Sequence, residues 1–199
     1  SEAVEVTVVD TGAAAGSLGL IALAAARSGA AGRSLDSVLA EVSDLAARVG
    51  LVAFLDTLKY LRRGGRINLL QGWAGSMLGI KPVTEFSMGE ARVLGRPRNR
   101  AKAVRRLLDV MRERAAGEPL VVNILEAGAV EEAMALRDTV AREFDCRELL
   151  VSEFTPVMGA HTGPGLLGLA FHTDYNSRVS GLDDKPWTAR PNKGMAQIG

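Results

Sequence analysis

The sequence predicts an α/β protein with a mixed sheet and flanking helices, and three observations carry that prediction. Apolar runs, several of them β-branched, recur at Val4–Thr11, Leu51–Thr57, Leu120–Leu125 and Arg147–Ser152, as expected of strands. Segments of helical period lie between them. One pair of runs, within Lys81–Arg98, reads as a hairpin with Met88-Gly89 near its turn, which adds antiparallel pairing to the sheet. The order strand, helix, strand, hairpin, helix, strand, helix, strand defines the class.

Each element has its own reason. Val4–Thr11 ("VEVTVVDT") is β-branched and ends in an aspartate, like a buried parallel strand running into a loop. Gly16–Ala26 is dense in small residues, which suits a helix lying close against a sheet. Ser34 is placed to cap a second helix whose apolar face is Leu35, Val38, Leu39, Val42, Leu45, Ala46 and Val49. "LVAFLDT" is the next strand, and "LKYLRRGGRI" reads as a helical turn stopped by Gly64-Gly65. "LLQGWAGSMLGI" is apolar but laced with glycine, which points to a short, closely packed helix. Ala101–Ala115 turns Val104, Leu107, Leu108 and Met111 inward, "LVVNIL" follows as a strand, Val130–Phe144 as a helix and "RELLVS" as a strand. Beyond Phe171 the chain turns polar, with Asp183-Asp184, Pro186 and Pro191. Residues 172–199 are therefore expected to be a disordered tail.

Bulk properties exclude several classes of function. With 199 residues, 47% of them hydrophobic, the chain can fill a core as one large domain or two small ones. A formal net charge of +1 argues against nucleic acid, and membrane contact is expected to be transient at most. The apolar run around Leu18–Ala26 is too short to span a bilayer. A single cysteine and two histidines match no metal-ligand spacing, and the lone thiol fits a reducing cytoplasm. The chain opens on Ser1 in the manner of a mid-strand, so an earlier segment is expected to precede it.

Three local motifs offer chemistry. In "GAHTGPGLLG", Gly163, Gly165 and Gly168 spell the G-x-G-x-x-G of a dinucleotide turn. That fingerprint requires a strand before it and a βαβ unit after it, and the chain has no room for one. What remains is His161-Thr162 on a loop whose glycines expose backbone N–H groups, able to hold an anion with an imidazole and a hydroxyl. A tight turn with a structurally satisfied histidine is the plainer alternative. In "RRGGR" a Gly-Gly step precedes Arg66, which suits close approach to an oxyanion. A helix C-terminus with dipole-complementing arginines would look the same. In "GRPRNRAK", Arg96, Arg98 and Arg100 alternate to one face if the segment is extended, or simply line a solvated edge. No Walker A loop and no G-x-S-x-G elbow is present.

In order, "FLDTLKYLRRGGRI", "MLGIKPV" leading to "RPRNRAKAV", and "GAHTGPGLLGLAF" closely resemble the DegV family of bacterial fatty-acid-binding proteins, over about residues 4–171. The resemblance implies two α/β domains with one long-chain fatty acid between them, tail in an apolar tunnel and carboxylate near the surface. Ser1–Val49 would be the second half of the N-terminal domain and residues 50–171 the C-terminal domain. The resemblance also implies a carrier with no catalytic residue, cofactor or ATP site of its own. It would present its acyl carboxylate to an ATP-binding fatty acid kinase subunit for acyl-phosphate formation. His161 matches the family's carboxylate-binding histidine, and Thr162 is its motif neighbour. Arg66 and Arg98 match arginines that would serve phosphoryl transfer or docking of the kinase. The family's serine and threonine carboxylate ligands belong to an earlier part of the N-terminal domain. An enzyme using the His161 loop and Arg66 on a small phosphorylated or carboxylated substrate is the alternative. Burying about fifteen methylenes is worth roughly 12 kcal/mol gross at ~0.8 kcal/mol each, so the tail would dominate affinity. The carboxylate would still need a hydrogen-bonding partner.

Overall fold

In the computed structural model, residues 6–65, 79–87 and 90–173 are described. Two helices open the fold, α1 (Ala15–Ala30) and α2 (Leu35–Arg48), followed by β1 (Gly50–Phe54) and the short α3 (Lys59–Arg63). The hairpin β2 (Val83–Ser87) and β3 (Glu90–Gly95) leads into α4 (Arg100–Ala115), β4 (Leu120–Ala127) and α5 (Val130–Glu143). The edge strand β5 (Cys146–Glu153), the short α6 (Pro156–Thr162) and β6 (Leu166–Thr173) complete it.

One six-stranded sheet holds these elements, in the order β3-β2-β1-β6-β4-β5. Only β4 and β5 pair in parallel, across the α5 crossover; every other neighbouring pair is antiparallel. This is the mixed sheet with flanking helices that the element order predicts, and the expected hairpin pairs Val83–Ser87 with Glu90–Gly95.

The last strand departs from expectation. The predicted element order ends at the strand Arg147–Ser152, yet a further strand, β6, sits between β1 and β4. Its alternation explains the choice. Leu167, Leu169 and Phe171 join the core under α4 and α5, with Leu107, Met111 and Ile124. Leu166 and Ala170 point the other way, into the core shared with Leu20, Ile21, Val42 and Leu45 of α1 and α2. Small side chains on that face let α1 settle close: a Cβ on Gly16 would lie 2.8 Å from Leu125 and 3.1 Å from Ala170. The close helix–sheet contact expected for Gly16–Ala26 is present. The domain boundary expected at residue 49 falls between α2 and β1, and buried side chains on both sides of it share this second core.

The other elements follow local rules with adjustments. Ser34 caps α2, and Asn99 caps α4 by accepting from Lys102 N at 2.9 Å. Of the expected α2 face, Val42, Leu45 and Val49 are buried, whereas Leu35 at the helix start is exposed. The strand expected at Val4–Thr11 is not formed over residues 6–11: Val6 and Val8 are 79% and 91% exposed. β-branched composition favours an extended backbone, but a strand exists only where a neighbour supplies ladder bonds, and the sheet ends at β3 and β5. The helix expected over Leu69–Ile80 falls largely on residues 66–78, outside the described residues, as do the hairpin turn at Met88-Gly89 and residues 174–199 of the expected tail; the first two residues of that tail, His172 and Thr173, instead complete β6.

Candidate functional site

The site forms where the chain leaves β1 and enters β6, at one end of the sheet. Residues after Phe54 run into Asp56 and then α3, which ends at Gly64. From the C-terminal side, α6 carries His161 and Thr162 in its last turn, and Gly163–Gly165 turns the chain into β6. α3 and α6 pack on each other here: a Cβ on Gly163 would lie 2.2 Å from the Tyr60 ring, and one on Gly64 would lie 2.7 Å from His161 Nδ1.

A charged cluster fixes this junction. The Asp56 carboxylate accepts from Lys81 Nζ at 2.7 Å and from Arg100 Nη1 at 2.9 Å. Arg100 Nη1 also donates to the Gly165 carbonyl at 2.8 Å, and its Nε donates to Glu132 at 2.8 Å. The guanidinium lies 4.9 Å from the centre of the Phe54 ring, a stacking position available to arginine and not to lysine. Gly165 N donates to the Ala127 carbonyl at 2.6 Å, so the turn is tied to β4 as well. Burial alone would raise the Asp56 carboxyl, but hydrogen bonds from Lys81 and Arg100, with their charges, outweigh it and hold it below its ordinary value. Burial likewise opposes the charge on Arg100, and its bonds to Glu132 and Asp56 outweigh that.

The structure places the sequence-predicted residues as follows. His161 is half-buried, with Nδ1 buried and without a hydrogen-bond partner among the described residues. It stands on the last turn of a helix, not on the expected loop, because Pro156 starts a helical turn that continues to Thr162. Thr162 is buried, and its hydroxyl donates to the Met158 carbonyl at 3.0 Å. That proton is therefore engaged, and the oxygen is left as an acceptor.

The exposed amides expected from the glycines are also engaged. Gly163 N donates to Gly159 O at 2.7 Å, Gly165 N is spent on Ala127, and Pro164 has no N–H. Gly168 lies within β6, where a Cβ would meet Ala53 Cβ at 2.9 Å. The glycines thus serve packing and chain reversal, and neither Gly163 nor Gly165 leaves a free N–H at this turn.

Arg98 is exposed, two residues ahead of Arg100 in the chain. The arginines of "RPRNR" do not share a face: Arg96 and Arg98 are exposed, while Arg100 begins α4 and turns inward to Asp56. Asn99 causes the difference by capping the helix there. Arg66 lies outside the described residues, immediately after Gly65. Sequence reasoning missed Asp56, Lys81, Arg100 and Glu132 as a unit. The visible signal was an aspartate at a strand end and an arginine at a helix start, 44 residues apart.

No group of three or more histidine, cysteine, aspartate or glutamate side chains among the described residues could hold a metal ion. No helix among them is long and apolar enough to cross a membrane.

The mixed six-stranded sheet carries helices on both faces, α4 and α5 on one and α1 and α2 on the other, with His161 on α6 just ahead of β6. A family model described as an uncharacterised protein of the DegV family matches residues 1–174, and the chain belongs to that family. A DegV domain-containing protein of Streptomyces coelicolor is 41% identical over 167 residues, covering 83% of this chain and 59% of the relative. Among solved structures, a DegV family protein from Thermus thermophilus described by its fatty-acid binding superposes with a TM-score of 0.78 at 35% identity, covering 84% of this chain and 60% of its own. DegV of Bacillus subtilis, described as a fatty acid binding protein, superposes at 0.73 with 28% identity, covering 83% and 60%. The chain thus spans about three fifths of the length of these relatives.

Proposed function

We propose that this chain supplies the carboxylate side of a fatty-acid site, with His161 as the hydrogen-bonding partner of the acyl carboxylate and Thr162 beside it. The observation that carries this reading is the setting of His161. Its imidazole stands at the α3–α6 junction with neither nitrogen hydrogen-bonded among the described residues, while the Asp56 carboxylate, the Gly165 carbonyl and the Thr162 hydroxyl are each engaged. Fatty-acid binding by the related proteins of Thermus thermophilus and Bacillus subtilis supports the same ligand class.

In this reading the protein is a cytoplasmic carrier, and chemistry on the carboxylate belongs to an ATP-binding kinase subunit. Arg98, exposed two residues before Arg100, and Arg66 would face the incoming phosphoryl group or the kinase, where delocalised positive charge stabilises transferring oxygens. Ser1–Val49 would be the second half of an N-terminal domain.

The test is organic extraction of the purified protein with mass spectrometry of the extract, followed by palmitate titration of the delipidated chain. Stoichiometric fatty acid, with weaker binding in His161→Ala, is the expected result. An empty extract together with no palmitate binding overturns the proposal.

A further inference from the structure

The two glycines of "RRGGR" occupy opposite situations. Gly65 has φ +68, a left-handed conformation, and a Cβ added there would meet nothing within 4 Å. Gly64 has φ −80 and ψ 2 at the C-cap of α3, a conformation any residue adopts. Its missing side chain is therefore not a demand of the backbone. The demand comes from space: a Cβ at residue 64 would lie 2.7 Å from His161 Nδ1, 3.5 Å from Cε1 of the same ring and 3.4 Å from the Tyr60 carbonyl. Atoms of that kind do not approach so closely, so a methyl group and the imidazole cannot both keep their places.

We infer that Gly64 is the positioning residue for His161: its bare Cα is the surface on which the imidazole rests. The contact also fixes which nitrogen can serve a ligand. Nδ1 is the buried atom on the Gly64 side, with no acceptor among the described residues. An N–H placed there would bear its full desolvation cost unrepaid. The neutral ring therefore carries its proton on Nε2, the nitrogen turned away from Gly64, and that N–H is the donor available to an anion. The link to a carboxylate rests on the proposed function; the placement of the ring does not. The first glycine of the pair serves a side chain about a hundred residues away, while the second serves the chain reversal.

Histidine NMR on the 199-residue chain separates the two, because only His161 and His172 contribute and His172 serves as internal reference. Long-range nitrogen–proton correlations of the parent should show His161 protonated at Nε2. Gly64→Ala should shift the His161 correlations, leave those of His172 in place, and weaken palmitate binding about tenfold, the loss of one hydrogen bond. Gly65→Ala should lower the melting temperature and leave His161 unmoved. If Gly64→Ala does not fold, Gly64→Ala combined with His161→Ala should fold, since the ring that the methyl displaces is gone. Protonation at Nδ1 in the parent overturns the inference. So does an unmoved ring in Gly64→Ala, equal displacement by both glycine substitutions, or failure of the double variant to fold. A parent that binds no palmitate refutes the proposed function alone, and the ring correlations still decide the role of Gly64.

Discussion

Arg100 holds the carbonyl of Gly165 at 2.8 Å, across a separation of 65 residues, with the same Nη1 that reaches Asp56. One guanidinium thereby joins the end of β1, the start of α4 and the turn behind His161. Replacement by methionine keeps much of the stacking area on Phe54 but leaves the Gly165 carbonyl without its donor and Asp56 with Lys81 alone. Arg100→Met should cost about 2 kcal/mol in urea unfolding, the scale of a charge-assisted hydrogen bond. Arg100→Lys should recover less than half of that, because a lysine cannot fork and stack at once.

Gly163 should tolerate no side chain. It combines φ +78 with a Cβ position 2.2 Å from the Tyr60 ring. Backbone strain of about 1–3 kcal/mol and overpacking of about 1–3 kcal/mol act together at this position. Gly163→Ala should therefore lower the urea midpoint more than Arg100→Met does. Trimming the ring with Tyr60→Ala in the same chain should return part of the overpacking share.

Acid should weaken the fold through Asp56 and Glu148. Lys81 and Arg100 outweigh burial to lower the Asp56 carboxyl from its ordinary 3.8, and the hydrogen bond from Arg27 lowers Glu148 from 4.5. Both groups bind fewer protons folded than unfolded near and below those values. Their contribution is complete above the ordinary values and is lost as pH falls through the lowered ones. Urea midpoints measured from about pH 6 to about pH 3 should fall, and Asp56→Asn should make that fall shallower.

The two helix caps should differ in strength. Asn99 Oδ1 accepts from Lys102 N at 2.9 Å, whereas Ser34 Oγ accepts from Ser37 N at 3.4 Å. Asn99→Ala should cost about 1 kcal/mol by thermal or urea unfolding, and Ser34→Ala visibly less. Asn99→Ala should also loosen Arg100, the first residue of the helix it caps.

Most helices were legible because a buried stripe repeats within one segment: Val42 and Leu45 in α2, Leu107 and Met111 in α4, Leu136 and Val140 in α5. Elements that depend on a distant partner were not. Val6 and Val8 have strand composition but pair with no strand among the described residues, whereas Gly168 breaks the apolar run of β6 yet fits because Ala53 lies opposite it. The site divides in the same way. His161 stands out as one of two histidines in the chain, beside a run of glycines. The ties from Arg100 to Asp56 and Gly165 are invisible until topology brings three separate segments to one end of the sheet.

The place of β6 also bears on how the molecule is made. β1 and β4 have no pairing with each other; β6 alone joins them, through registers such as Gly50 with Phe171 and Val122 with Phe171. A nascent chain that has emerged only as far as β5 therefore holds two separate pieces of sheet, β3-β2-β1 and β4-β5, each with an apolar edge awaiting the same strand. Closure must wait for residues 166–173, and those long-range pairings predict slow, late assembly. Until then the two open edges are the surfaces most in need of protection from other chains.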